Sequence, residues 1–145
     1  MNRKPRVILF DDDQSIIRFL SKQLENKGCD LYTYEDPSRC RLQHSHDCQC
    51  NNSELCADIV ITDIDMPKVS GLDFIESQLA KGCNIKHIAI MSGSWSEEDT
   101  ERAKNLGCFV LQKPNILIPL NEWLEKCFEE IDLRKVLSNW FLEEE

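Results

Sequence analysis

Asp58-Ile-Val-Ile-Thr-Asp63-Ile-Asp-Met-Pro67 is the stretch on which the reading of this chain turns. Ile59 to Thr62 is too short for a helix and dense in β-branched residues, which suits a strand buried on both faces. The run ends on Asp63, meets Asp65 two residues later, and reaches Met66-Pro67, where a hydrogen-bonded ladder stops. In an open α/β sheet the reactive groups stand just outside the carboxyl ends of the strands, and Asp63 has that position. Asp also ends strands and opens turns for purely local reasons, so this stretch alone leaves both readings open.

A second strand of the same kind breaks the tie. Val7-Ile8-Leu9-Phe10 runs straight into Asp11-Asp12-Asp13. Adjacent carboxylates repel one another unless a cation or hydrogen-bond donors sit among them. An acidic first turn for a helix beginning near Gln14 accounts for Asp13 through the helix dipole. It does not account for two strands that both end in bare acids, whereas an oxygen-only site for Mg²⁺ does.

Composition narrows the field. The 145 residues fit a single domain, 1–145, with enough chain to bury a sizeable core. Lys and Arg number 17 against 26 Asp and Glu, a net charge of −9, which argues against direct nucleic-acid binding. No apolar run approaches the ~20 residues needed to span a bilayer. Met1 to Pro5 leads directly into a strand without a signal-peptide core, so a cytoplasmic location is expected, with the eight cysteines kept reduced.

Outward from the two strands, the chain alternates strand and helix. Ile16, Ile17, Leu20 and Leu24 recur at helical spacing and Gly28 supplies a C-terminal cap. Cys29 to Tyr34 fits a strand. Beyond Pro67 comes a turn to Gly71 and a helix through Phe74, Ile75 and Leu79, closed by Gly82. Ile85 to Met91 is a strand ending at Ser92-Gly93-Ser94, Glu97 to Leu106 a helix, and Cys108 to Gln112 a strand ending at Lys113-Pro114. A last helix carries Leu120, Trp123, Leu124, Cys127, Phe128 and Ile131. The alternation predicts an α/β fold with a five-stranded parallel sheet and helices on both faces. Over 132–145, Leu133, Val136, Leu137, Trp140 and Phe141 also fall at helical spacing. They predict a helical extension that packs on its own domain, or else an amphipathic segment for a partner or a homodimer.

Four strands thus deliver Asp11 and Asp12, Asp63, Ser92 and Lys113 to one edge of the sheet. In this respect the sequence resembles the receiver domains of two-component response regulators, the CheY-like family, over about Arg6 to Ile131. The resemblance rests on the apolar strand before Asp11-Asp12, on Asp63-x-x-Met66-Pro67-x-x-x-Gly71, on Ser92-Gly93, and on Lys113-Pro114. Each motif is weak alone, but all four occur in order and each closes a different strand. The resemblance implies the flavodoxin-like strand order 2-1-3-4-5. It also implies that Asp63 accepts a phosphoryl group from the phosphohistidine of a sensor histidine kinase or phosphotransfer protein. Mg²⁺ would be held by Asp12 and Asp63, by Asp11 through water, and by the main-chain carbonyl of Asp65. Lys113 and Ser92 would contact phosphoryl oxygens, and the Lys113-Pro114 bond would be cis. Such a protein is an autocatalytic phosphoryl acceptor rather than a turnover enzyme, and its signal leaves through a downstream protein partner. The family's usual aromatic residue three positions before the lysine is here Val110, so an aromatic rotamer switch is not expected in its ordinary form.

Asp11-Asp12-Asp13-Gln14-Ser15 also resembles the opening of haloacid-dehalogenase-like phosphatases, with Asp11 as nucleophile. That reading requires a further strand with an acidic pair after Lys113, where the sequence offers helix.

Residues 36–56 stand apart as an insert replacing part of the second helix. Cys40, His44, His46, Cys48, Cys50 and Cys56 fall within 17 positions, and the segment lacks an apolar face. Soft ligands at this density suit a structural Zn²⁺, although the spacing matches no zinc-finger pattern. A redox-sensing thiol pair and an unordered insert are the alternatives for this segment, and a non-phosphorylated metal- or redox-sensing interaction module is the corresponding alternative for the whole chain. The remaining cysteines, Cys29, Cys83, Cys108 and Cys127, read as small buried hydrophobes.

Overall fold

A computed structural model describes residues 3–44, 48, 50 and 54–138. Five parallel strands form the sheet: β1 (Arg6–Phe10), β2 (Asp30–Tyr34), β4 (Ile59–Asp63), β5 (His87–Ser92) and β6 (Phe109–Gln112), in the order β2-β1-β4-β5-β6. Counted along the sheet strands alone, this is the expected 2-1-3-4-5. A separate two-stranded sheet pairs β3 (Glu54–Leu55) with β7 (Val136–Leu137).

Strand alternation divides the core in two. Val7, Leu9, Ile59, Ile61, Ala89, Met91 and Leu111 face one side, against Leu20 and Leu24 of α1 (Gln14–Asn26) and Leu120, Leu124 and Cys127 of α5 (Leu117–Glu130). Ile8, Phe10, Val60, Ile88 and Ile90 face the other, against Leu72, Phe74 and Ile75 of α3 (Gly71–Ala80) and Ala103 of α4 (Glu97–Asn105). Apolar residues on both pleats explain why β1 and β4 read as continuous hydrophobic runs. Helix starts are set by side chains: Asp13 accepts from the Ser15 N–H, Ser70 from the Asp73 N–H and Ser96 from the Asp99 N–H. The cap at Asp13 explains that acid without any cation.

The second helix is reduced to a 3₁₀ turn at Pro37–Arg39 and a single turn, α2 (Arg41–His44), of which only Leu42 is buried. Lys81, at the end of α3, holds this turn by donating from Nζ to the carbonyls of Leu42 and Gln43 at 2.7 and 3.2 Å.

The helical extension expected over 132–145 does not form across 132–138, and 139–145 lie outside the described residues. Helix α5 stops at Glu130, Ile131 is extended, and Asp132 folds a turn by accepting from the Arg134 N–H at 3.0 Å. The chain then pairs with β3 as β7. Hydrogen bonds to its carbonyls outweigh the helical spacing of its apolar residues: Arg3 Nε donates to Lys135 O at 2.6 Å and an Arg6 Nη to Ser138 O at 2.6 Å. Arg3 also forms a paired bond with the buried Asp58 carboxylate, at 2.6 and 3.0 Å, and the Arg6 N–H donates to the same group at 2.8 Å. Of the two acids that flank β4, Asp58 is therefore a structural anchor.

Candidate phosphoryl-acceptor site

Register brings the site together. Phe10 pairs with Thr62, Asp63 with Met91, and Ser92 with Gln112. The next residues along these strands, Asp11 and Lys113, therefore lie at the same carboxyl edge as Asp63 and Ser92. Lys113 Nζ bonds Asp11 Oδ2 at 2.9 Å and pairs with Asp63 Oδ1 at 3.1 Å. Asp11 is fully buried, Asp63 and Ser92 nearly so, and Asp12 is exposed. The Lys113-Pro114 peptide is cis, as expected.

Burial, and the Asp11 carboxylate beside it, push the Asp63 carboxyl up to about 6, against the pull of Lys113. Burial draws Lys113 downward, but its bonds to Asp11 and Asp63 outweigh this and hold the ammonium above its ordinary value. The second Asp11 oxygen accepts from the Asp13 N–H at 2.9 Å, and the Ser92 hydroxyl oxygen accepts from the Ser94 N–H at 3.1 Å. The Ser92 main chain is tied to the lysine directly, its carbonyl accepting from the Lys113 N–H at 2.8 Å.

Carboxylate oxygens of Asp11, Asp12 and Asp63 lie within 4.8 Å of one another. One lysine faces this group of acids, and every ligand atom is a hard oxygen. The arrangement fits a small divalent cation of the Mg²⁺ kind. The Asp65 side chain is exposed and bears on the site by raising Asp63 electrostatically.

Two further residues support the site: Gly71, which closes the Asp63 motif, and Trp95, which belongs to none of the motifs. Gly71 supports the Asp63 main chain: its N–H donates to Ile64 O at 3.0 Å, and a Cβ there would overlap the Asp63 carbonyl oxygen. Trp95 lies three residues beyond Ser92, and its indole N–H donates to Leu111 O at 2.8 Å. Trp95 and Val110 pack on the same core, whereas Phe109 stacks on Trp123 at 5.4 Å on the opposite face. Only proximity to Ser92 could have drawn attention to Trp95.

The six ligand candidates of the insert do not assemble as one set. Cys40 is buried beside Tyr34, and His44 Nε2 bonds Ser38 O at 2.7 Å. His46 lies outside the described residues. Cys48, Cys50 and Cys56 do converge, and the fourth sulfur beside them belongs to Cys83, which spacing alone assigns to the core. The phosphatase reading needs a further sheet strand after Lys113. Among the described residues only α5 and the two-residue β7 follow, and β7 lies outside the five-stranded sheet.

Solved structures with this fold include a Francisella response regulator receiver domain, 23% identical, covering 85% of this chain and 98% of its own, at a TM-score of 0.65. A non-phosphorylated HemR receiver domain from Leptospira biflexa is 20% identical, covering 89% and 98% of the two chains at 0.73. A response regulator receiver protein from Pseudomonas putida is 25% identical, covering 87% and 99% at 0.67. A probable transcriptional regulatory protein of Picosynechococcus sp. is 27% identical over 128 residues, which is 88% of this chain and 49% of that protein. The chain thus spans about half the length of that curated relative. The family model of the response regulator receiver domain matches residues 7–137, nearly the whole chain and all four strand-end motifs, and the protein belongs to that family.

Proposed function

We propose that this domain takes a phosphoryl group onto Asp63 from the phosphohistidine of a sensor kinase or phosphotransfer protein and passes the signal to a protein partner. The observation that carries the reading is the convergence of Asp11, Asp63 and Lys113 within ion-pair distance at the ends of three different strands. An Asp63 carboxylate oxygen attacks phosphorus, the phosphorus–nitrogen bond to the donor imidazole breaks, and the imidazole leaves with a proton. Lys113 holds Asp63 in place beforehand and is near enough to take a phosphoryl oxygen as its partner afterwards. Ser92, buried at the adjacent strand end, supplies a hydroxyl to a second oxygen. Asp12, Asp63, Asp11 through water and the Asp65 carbonyl are the groups that would hold Mg²⁺, which when bound offsets phosphoryl charge. With no turnover substrate, the product is the phosphorylated domain itself.

Incubation with acetyl phosphate and Mg²⁺, followed by intact mass, tests this. One phosphoryl group should be gained by the wild type and lost in Asp63→Asn. Retention of the modification in Asp63→Ala together with its loss in Asp11→Ala would instead establish Asp11 as the nucleophile and overturn the assignment.

A further inference from the structure

Four sulfurs form a second centre at the opposite end of the sheet. Cys48 Sγ lies 3.8 Å from Cys56 Sγ, Cys50 Sγ is 3.6 Å from Cys56 and 3.8 Å from Cys83, and Cys56 and Cys83 are 3.5 Å apart. All four fall within 4.8 Å of one another, and none is in a disulfide. A disulfide brings sulfurs to ~2.05 Å. A tetrahedral ion with metal–sulfur bonds of ~2.3 Å holds its ligands ~3.8 Å apart along each edge. Four of the six sulfur–sulfur edges, at 3.5–3.8 Å, are close to those of that tetrahedron, and the other two lie within 4.8 Å.

From this geometry we infer that Cys48, Cys50, Cys56 and Cys83 bind one Zn²⁺ as a closed tetrathiolate site. The sulfurs are too close together to be distributed over the separate irons of a cluster, so a single ion is the occupant they fit. Binding converts four thiols to thiolates and releases their protons. The resulting complex carries two net negative charges, and donors are already aimed at it. Gln78, buried on α3, donates from Nε2 to Cys48 Sγ at 3.3 Å, and the Cys56 N–H donates to Cys50 Sγ at 3.3 Å. The main-chain N–H groups of Asn84 and Ile85 face Cys50 and Cys83. Outer contacts of this kind orient thiolate ligands and moderate their charge.

The fold explains why a metal should stand here. A single turn of α2, of which only Leu42 is buried, replaces the apolar face of a full second helix. The centre ties Cys48 and Cys50 to Cys56, just ahead of β4, and to Cys83, between α3 and β5. With all four positions filled by protein, no site remains for water, and the role is structural. Asp63 lies seven residues beyond Cys56, roughly 20 Å along the strand direction, so the ion takes no part in phosphoryl chemistry.

Elemental analysis of protein purified in reductant without added metal should find about one zinc per chain, as a closed site requires. Cys83→Ser should lower this about tenfold, whereas Cys40→Ser and His44→Ala should leave it unchanged. Because Cys83→Ser can also fail to fold, the wild type supplies a second readout. Exchange with Co²⁺ should give the absorption of a tetrahedral thiolate complex, while phosphorylation of Asp63 still proceeds. Absence of zinc without Co²⁺ uptake, disulfides revealed by mass, or zinc retained in folded Cys83→Ser would each overturn the inference.

Discussion

At the scale of single residues, the acceptor site is built against stability. Asp63 is nearly buried, and burial with the Asp11 charge disfavours its ionised form. An amide of the same shape removes that repulsion. Asp63→Asn is therefore expected to be more stable than wild type in chelator, by on the order of 1 kcal/mol in denaturant unfolding. Mg²⁺ should raise the melting temperature of the wild type by mass action and have little effect on Asp12→Ala. An unchanged response in that variant would move the cation elsewhere. Gly71 bears on the same carboxylate from its main chain. Gly71→Ala places a methyl group against the Asp63 carbonyl and Thr62 Oγ1, so Asp63 must shift. The expected cost is about 1–3 kcal/mol from overpacking. Phosphorylation by acetyl phosphate should slow about tenfold or more, because displacement of the nucleophile costs rate directly. Equal rates in the two proteins would show that the strand end absorbs the methyl group.

At the scale of elements, the β5–α4 loop is where the proposed phosphorylation would have the clearest route outward. Ser92 begins it, Ser94 is bonded to the Ser92 hydroxyl, and Trp95 is anchored on the Leu111 carbonyl two residues before Lys113. A phosphoryl oxygen that accepts from the Ser92 hydroxyl reorients a group to which this loop is already bonded through the Ser94 N–H. Acetyl phosphate with Mg²⁺ should accordingly change tryptophan emission in the wild type but not in Trp95→Phe, where Trp123 and Trp140 remain. A change that persists in Trp95→Phe would assign the signal to another region. This loop also marks a limit of sequence reading. The strands that carry Asp11, Asp63 and Ser92 were legible because both of their faces are buried, which leaves dense apolar runs ending abruptly in polar groups; the half-buried β6 was legible from its short apolar run before Lys113-Pro114. Trp95 was not legible, since its role depends on a carbonyl sixteen positions away. Nor was Cys83: its meaning arises only when β4 and β5 pair in register and bring its end of β5 beside Cys56. The helical spacing after Ile131 misled for a related reason, because Arg3 and Arg6, over a hundred residues earlier, bind that segment as a strand.

Across the whole molecule, the eight cysteines divide into two populations with opposite chemistry. Cys48, Cys50, Cys56 and Cys83 face one another, while Cys29, Cys40, Cys108 and Cys127 are buried separately. Burial pushes Cys29 and Cys40 up to about 11, and Cys108 and Cys127 up to about 12, from an ordinary value of 9.0. These four behave as the small hydrophobes that their sequence positions suggest. Their titration nevertheless links stability to pH. Between about pH 9 and the raised values, the native protein keeps protons that the unfolded chain gives up, so unfolding is favoured as pH rises. The contribution is fully present below pH 9 and is lost as pH climbs towards 11–12. Thermal unfolding followed from pH 8 upward should therefore show a falling melting temperature, and the slope should be shallower in Cys29→Ala/Cys127→Ala. Comparing the two proteins at each pH cancels the titration of lysines and tyrosines common to both. Parallel slopes would mean that these thiols ionise as readily in the folded protein as in the unfolded chain, contrary to their burial against α1 and α5.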